Sequence, residues 1–160
     1  MTLLELFQSE GSEIVEALKE SLDRNGVNAS GRLRASIEAE ATEDRLIISA
    51  AGYALTAEDG RGPSNGGTKP GILKNQIENW LEAKGIPVWS GFTRKSQAYV
   101  IARKIHKSGT KLFREGGNSG VLSSVINDRL IDEISARALR EVELAFLEGE
   151  GLAGRNAIRN

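Results

Sequence analysis

"LRASIEAEATEDRLIISAA", residues 33 to 51, is the stretch on which the fold turns. Leu33, Ala35, Ile37 and Ala39 alternate with Arg34, Ser36, Glu38 and Glu40, the period of two that gives a strand one dry and one wet face. Glu43-Asp44 supplies a polar turn, and Arg45 to Ala51 is rich in the branched apolar side chains that suit a pleated surface. The stretch predicts an antiparallel hairpin with strands over 33–40 and 45–51.

Outward from the hairpin the periodicity is helical. Thr2 and Glu5 have capping-box spacing, and Phe7, Ile14, Val15, Leu18 and Leu22 then fall on one face until Asn25-Gly26 ends the helix. Gly11 costs roughly 1 kcal/mol in a helix interior, which predicts a break there with Ser12 recapping the second piece. Beyond the hairpin, Ile72, Leu73, Ile77, Trp80 and Leu81 define a helix ended by Gly85 and Pro87. A second helix is expected from Thr93 to Ser108, with Ala98, Ile101, Ala102 and Ile105 inward and Gly109 as its stop. REGGNSG, residues 114–120, has the composition of a mobile loop. A long helical stripe follows from Val121 to Phe146 through Leu122, Ile126, Leu130, Ile131, Ile134, Ala138, Val142 and Ala145, although its first turn also fits a short strand. The fold class is therefore α+β: a small antiparallel sheet packed with several helices, the N-terminal and C-terminal ones long. Residues 1–148 form the expected single domain, and 149–160 a flexible tail.

At 160 residues, with 39% hydrophobic and 27% charged, the chain has the composition of an ordinary globular protein. Apolar runs fall short of the roughly 18 residues that a membrane span needs. The start, MTLLELFQSE, lacks the basic n-region of a secretory signal, so synthesis inside the cell is expected. Without cysteine there is neither a disulfide framework nor a thiolate. The net charge of −1 conceals segregation: residues 1–26 hold six acids against two bases, residues 128–150 seven against three, and residues 84–114 eight bases with no acid. Two outcomes fit. Either the acidic ends fold back on the basic middle or leave it solvated, or the opposite charges dock one subunit on another.

The glycine-rich stretch from Gly60 to Gly71 invites comparison with a phosphate cradle, but Thr68 precedes Lys69, and Pro70 removes the next N–H. His106, the only histidine, stands among Lys104 and Lys107 with no second imidazole or cysteine nearby in sequence, a poor setting for zinc or for a general base. Adjacent Glu58 and Asp59 read as a local turn feature rather than a glycosidase pair, which needs two separated carboxylates across one bond. A G-x-S-x-G elbow is absent from the sequence. Neither an enzyme nor a cofactor is expected. Basic residues interleaved with Trp89, Phe92, Tyr99 and Phe113 do fit sequence-independent DNA binding, against which the acidic ends argue.

The succession Ser30-Gly31-Arg32-Leu33-Arg34-Ala35-Ser36-Ile37, a hairpin, Tyr53-Ala54, Glu58-Asp59-Gly60-Arg61, Trp80-Leu81-Glu82-Ala83-Lys84-Gly85-Ile86 and Ile105-His106-Lys107-Ser108-Gly109-Thr110 resembles the neck proteins of tailed bacteriophages. These are head–tail joining and tail-completion proteins, including those of the HK97-type group. The resemblance covers about residues 25 to 115 and the long C-terminal helix. It implies an α+β subunit of a homo-oligomeric ring in the virion neck, assembled in the host cytoplasm, through which DNA passes without sequence recognition. Implied partners are identical subunits and other neck proteins, the portal-side adaptor or the tail tube and sheath, with no membrane. The family brings no catalytic residues. Ring interfaces are heterologous, so an acidic end and a basic middle are self-complementary head to tail. On that basis Glu58, Asp59, Arg61, Arg103, Lys104 and Lys107 are expected to touch neighbouring subunits or partners, with Gly60–Gly71 as a contact loop.

Overall fold

The computed structural model of the chain describes residues 1–27, 30–64 and 70–157. Helix α1 (Leu3–Arg24) starts where the Thr2 hydroxyl accepts from the Glu5 N–H at 3.2 Å and the Glu5 carboxylate accepts from the Thr2 N–H at 2.8 Å. It buries Leu6, Ile14, Val15, Leu18 and Leu22, each worth roughly 1.5–3 kcal/mol on leaving water. Asn25 and Gly26, the latter at φ 64°, end it as expected.

The break expected at Gly11 does not occur. A Cβ at that position would stand 2.9 Å from Leu46 Cδ1 and 3.0 Å from Ala39 Cβ, so the absent side chain lets α1 close onto the hairpin. Packing of the helix outweighs the local propensity.

The hairpin consists of β1 (Glu38–Ala41) and β2 (Leu46–Ser49), antiparallel, with Ala39 opposite Ile48 and Ala41 opposite Leu46. Leu46 and Ile48 pack against the core, while Ile47 is exposed. The first strand is shorter than expected, because Arg32–Ala35 forms a helical turn, α2, following Gly31 at φ 74°. Leu33 and Ile37 are both buried. Four residues apart, they satisfy helical spacing as well as strand alternation. Ser36 decides between the two: its hydroxyl donates to the Leu33 carbonyl at 2.8 Å and accepts from the Ala51 N–H at 2.9 Å, closing the open end of the hairpin before β1 begins.

After α3 (Ala54–Asp59), helices α4 (Pro70–Ala83) and α5 (Arg94–Ser108) pack side by side, burying Leu73, Leu81, Gln97, Ala98 and Ala102. A single turn, α6 (Lys111–Arg114), follows. Residues 114–120, expected as a mobile loop, form hydrogen-bonded turns: Gly117 N–H donates to the Leu112 carbonyl at 2.9 Å and Ser119 N–H to the Glu58 carbonyl at 2.7 Å. The final helix, α7 (Asp128–Ala157), begins later than the stripe suggested. Residues 121–127 are neither helix nor strand, because Leu122 N–H and the Ser123 hydroxyl bind the Glu58 carboxylate and hold Val121 fully buried. Asn127 then caps α7 through Leu130 N–H at 3.1 Å. Helical backbone continues through the expected tail to Ala157, and residues 158–160 lie outside the described residues.

Helix α7 lies along α1. Leu130 and Ile134 meet the core there, the Met1 ammonium pairs with Glu141 at 3.3 Å, and Arg137 pairs with the buried Glu10. The chain is thus an α+β protein built on a two-stranded antiparallel sheet.

Candidate functional site

Helix α5 presents the basic middle of the sequence. Thr93 and Ser96 cap its start reciprocally, and Gly109, at φ 77° and ψ 176°, ends it. Ala98 and Ala102 face inward without exposure, while Ile101 and Ile105 are half-buried. Tyr99, Val100, Arg103, Lys104 and Lys107 are exposed. Among the described residues no carboxylate stands within ion-pair distance of Arg103, Lys104 or Lys107. The acidic helices do not neutralise these three bases; the pairs of Glu10 with Arg137 and Glu141 with Met1 join α1 to α7 instead.

Other bases of the same block are spent on structure. Arg94 donates to the Ile86 carbonyl, beside the fully buried Gln97, whose amide donates to the Pro87 carbonyl at 3.1 Å. Lys84 donates to the Gly26 carbonyl, and Lys111 pairs with Glu115 at 3.7 Å. The bonds from Arg94 and Gln97 hold the carbonyls of Ile86 and Pro87, the start of the segment in which Trp89 and Phe92 meet edge to face with centroids 5.5 Å apart. Gln97 was not singled out from the sequence. Its place between inward-facing Ala98 and the Arg94 turn is the only signal that marks it.

The segment from Glu58 to Ser64 runs beside the far end of α5. Glu58, one of the expected contact residues, is instead placed inside: it is 8% exposed, and its carboxylate accepts from Leu122 N–H at 2.7 Å, the Ser123 hydroxyl at 2.5 Å and the Ser119 hydroxyl at 3.3 Å. Burial raises the cost of its charge, but the hydrogen bonds outweigh burial and hold the carboxyl below the ordinary glutamate value. Asp59 is exposed. Arg61 is half-buried: its N–H donates to Thr110 Oγ1 at 2.9 Å, its carbonyl accepts from Thr110 N–H at 2.8 Å, and its guanidinium reaches Ser64 Oγ at 3.3 Å. Ser64 N–H donates to the carbonyl of His106, itself half-buried, at 3.0 Å.

Glycine makes this seam possible. A Cβ on Gly60 would lie 2.5 Å from the Phe113 nitrogen, and one on Gly109 would lie 2.8 Å from the Arg61 carbonyl oxygen. The first part of the expected contact loop is therefore a strap fastened to 106–117, while residues 65–69 of that loop lie outside the described residues. Asp59, Arg61, Arg103, Lys104 and Lys107 come from α3, the strap and α5, which the seam holds together.

A cavity of about 290 Å³ lies between α2, α3 and α4, lined by Leu33, Tyr53, Trp80 and others, with Arg32 its single charged lining residue among those described. Among the described residues no three His, Asp or Glu side chains gather as a metal site, and no helix is long and apolar enough to cross a membrane. Compared with known proteins, the chain matches no family model, no curated protein and no solved structure.

Proposed function

We propose that this chain is a structural virion protein of a tailed bacteriophage, a subunit of a homo-oligomeric ring in the neck or tail-terminator region that joins head to tail and lets DNA pass. Its role is assembly rather than catalysis, and its partners are identical subunits and the neighbouring neck, portal-side or tail proteins. One observation carries the reading beyond the resemblance of its motifs: Arg103, Lys104 and Lys107 stand exposed without acidic partners on α5, while acidic α1 and α7 lie together. A small subunit with one basic and one acidic face is complementary to its own copy in a head-to-tail sense, the geometry that closes rings. The strap at Arg61 gives the basic face a fixed neighbour rather than a free loop.

Native mass spectrometry across a concentration series, with negative-stain images of the large species, tests this reading. A closed ring of defined copy number is expected, and a chain that stays monomeric alone and with neck partners would overturn it.

A second reading has its own support. Trp89, Phe92 and Tyr99 are exposed in the same acid-free segment as the three bases, the pairing of rings and charge that sequence-independent DNA binding uses. It requires retardation of generic DNA that weakens linearly in log affinity against log salt.

A further inference from the structure

Helix α7 has two apolar stripes, of which α1 covers one. Leu130 and Ile134 pack on the core, whereas Ile131, Leu139, Val142 and Phe146 are 53%, 61%, 48% and 65% exposed. Their spacing puts these four on one face, and a surface helix serving a single core would carry polar residues there. Asp132 and Glu143 are exposed near this stripe and form no ion pair among the described residues. Of the bases on this helix, Arg129 pairs with Glu133 and Arg137 with Glu10, while exposed Arg140, three residues before Glu143, forms no ion pair among the described residues.

We infer that the outer stripe of α7 docks on the outer face of α5 in a second copy of this chain. Val100, Arg103 and Lys107 share one side of α5, with Tyr99 exposed beside them, so apolar surface meets apolar surface while Asp132 and Glu143 meet unpaired cations. The contacts of Arg137 with Glu10 and of Glu141 with Met1 keep α1 on the other side of α7, and the occupant is another copy because its exposed Arg103 and Lys107 match the charge of Asp132 and Glu143. Pairing is heterologous because a two-fold pairing of α7 with α7 would bring like charges together. The inference rests on the ring reading and names its interface.

The sequence contains no cysteine, so disulfide trapping is clean. Val100→Cys and Val142→Cys proteins, mixed in equal amounts and oxidised, are expected to give the mixed dimer in about tenfold excess over the Val142→Cys homodimer, a ratio that reflects the charge match. The double variant should give a ladder. Arg103→Glu with Lys107→Glu is expected to lower trapping about tenfold, and Asp132→Lys with Glu143→Lys in the partner to restore it. Circular dichroism checks that each variant is folded. Dominant Val142→Cys homodimers, or no 100–142 product at any concentration, would overturn the interface. Native mass spectrometry of the unaltered chain separates the two failures: rings without 100–142 trapping remove only this interface, whereas absence of both removes the ring as well.

Discussion

The carboxylate of Glu58 accepts the backbone N–H of Leu122 at 2.7 Å, tying α3 to the segment that leads into α7 across 64 positions of sequence. The Ser123 hydroxyl donates to the same buried carboxylate at 2.5 Å, and the Ser119 hydroxyl lies 3.3 Å from it. Replacement by alanine leaves the Leu122 N–H without its acceptor, while the Ser119 hydroxyl keeps the Ala57 carbonyl at 2.9 Å and the Ser123 hydroxyl keeps Asn118 Oδ1 at 3.2 Å, a loss of about 2 kcal/mol. Glu58→Ala is therefore expected to lower the urea midpoint sharply, and an unchanged midpoint would contradict the assignment.

The same carboxyl predicts a pH dependence. Its value in the folded chain lies below the ordinary one, so the stabilisation is complete above the unfolded value, about 4.3. It is lost as pH falls from there through the lower folded value. Stability measured between pH 6 and 3 should decline less steeply in Glu58→Gln than in the unaltered chain. Parallel curves would show that this group does not contribute.

Gly60 and Gly109 adopt nearly the same backbone conformation, φ 80° and ψ 178° against φ 77° and ψ 176°, and face each other's neighbours across the strap. Only glycine occupies this region comfortably, and a Cβ would also strike backbone atoms, so Gly60→Ala should cost about 3 kcal/mol. Gly52→Ala, where a Cβ meets nothing within 4 Å, should stay within about 0.5 kcal/mol. Thermal unfolding of the two variants checks the contrast.

Why the strap was hidden in the sequence follows from the same residues. Gly60 and Gly62 suggest a loop when only neighbours in sequence are considered, whereas their partners, Thr110 and Phe113, lie about fifty positions away. The hairpin was legible from the alternation up to Glu40 and the branched apolar residues of 45–51, of which Glu38–Ala41 and Leu46–Ser49 pair as strands. Its entrance was not, since Leu33 and Ile37 fit both periods and Ser36 decides through Ala51. For the basic face, sequence located the bases but not which were occupied: Arg94 and Lys84 are taken by carbonyls of Ile86 and Gly26.

Gly11 gives a second test of packing. Alanine regains helix propensity but presses on the hairpin, whereas Gly11→Val adds branched bulk against Leu46 Cδ1 and Ala39 Cβ. Overpacking of this kind costs roughly 1–3 kcal/mol, and backbone exchange in the hairpin should rise ahead of exchange in the α4–α5 pair. Equal acceleration throughout would mean that this contact does not report on the hairpin locally.

The pair of Arg137 with Glu10 joins α7 to α1 asymmetrically: the Glu10 side chain is 8% exposed and that of Arg137 58%. Removing the arginine leaves a carboxylate in an enclosed place without its partner, so Arg137→Ala should destabilise by about 2 kcal/mol. Arg129→Ala breaks a pair on the same helix with Glu133, but that arginine is 87% exposed, so water screens the pair and the loss should be too small to move the midpoint. Chemical denaturation of both variants decides whether α7 is anchored through this contact. Equal small losses would leave its attachment to Leu130 and Ile134 alone.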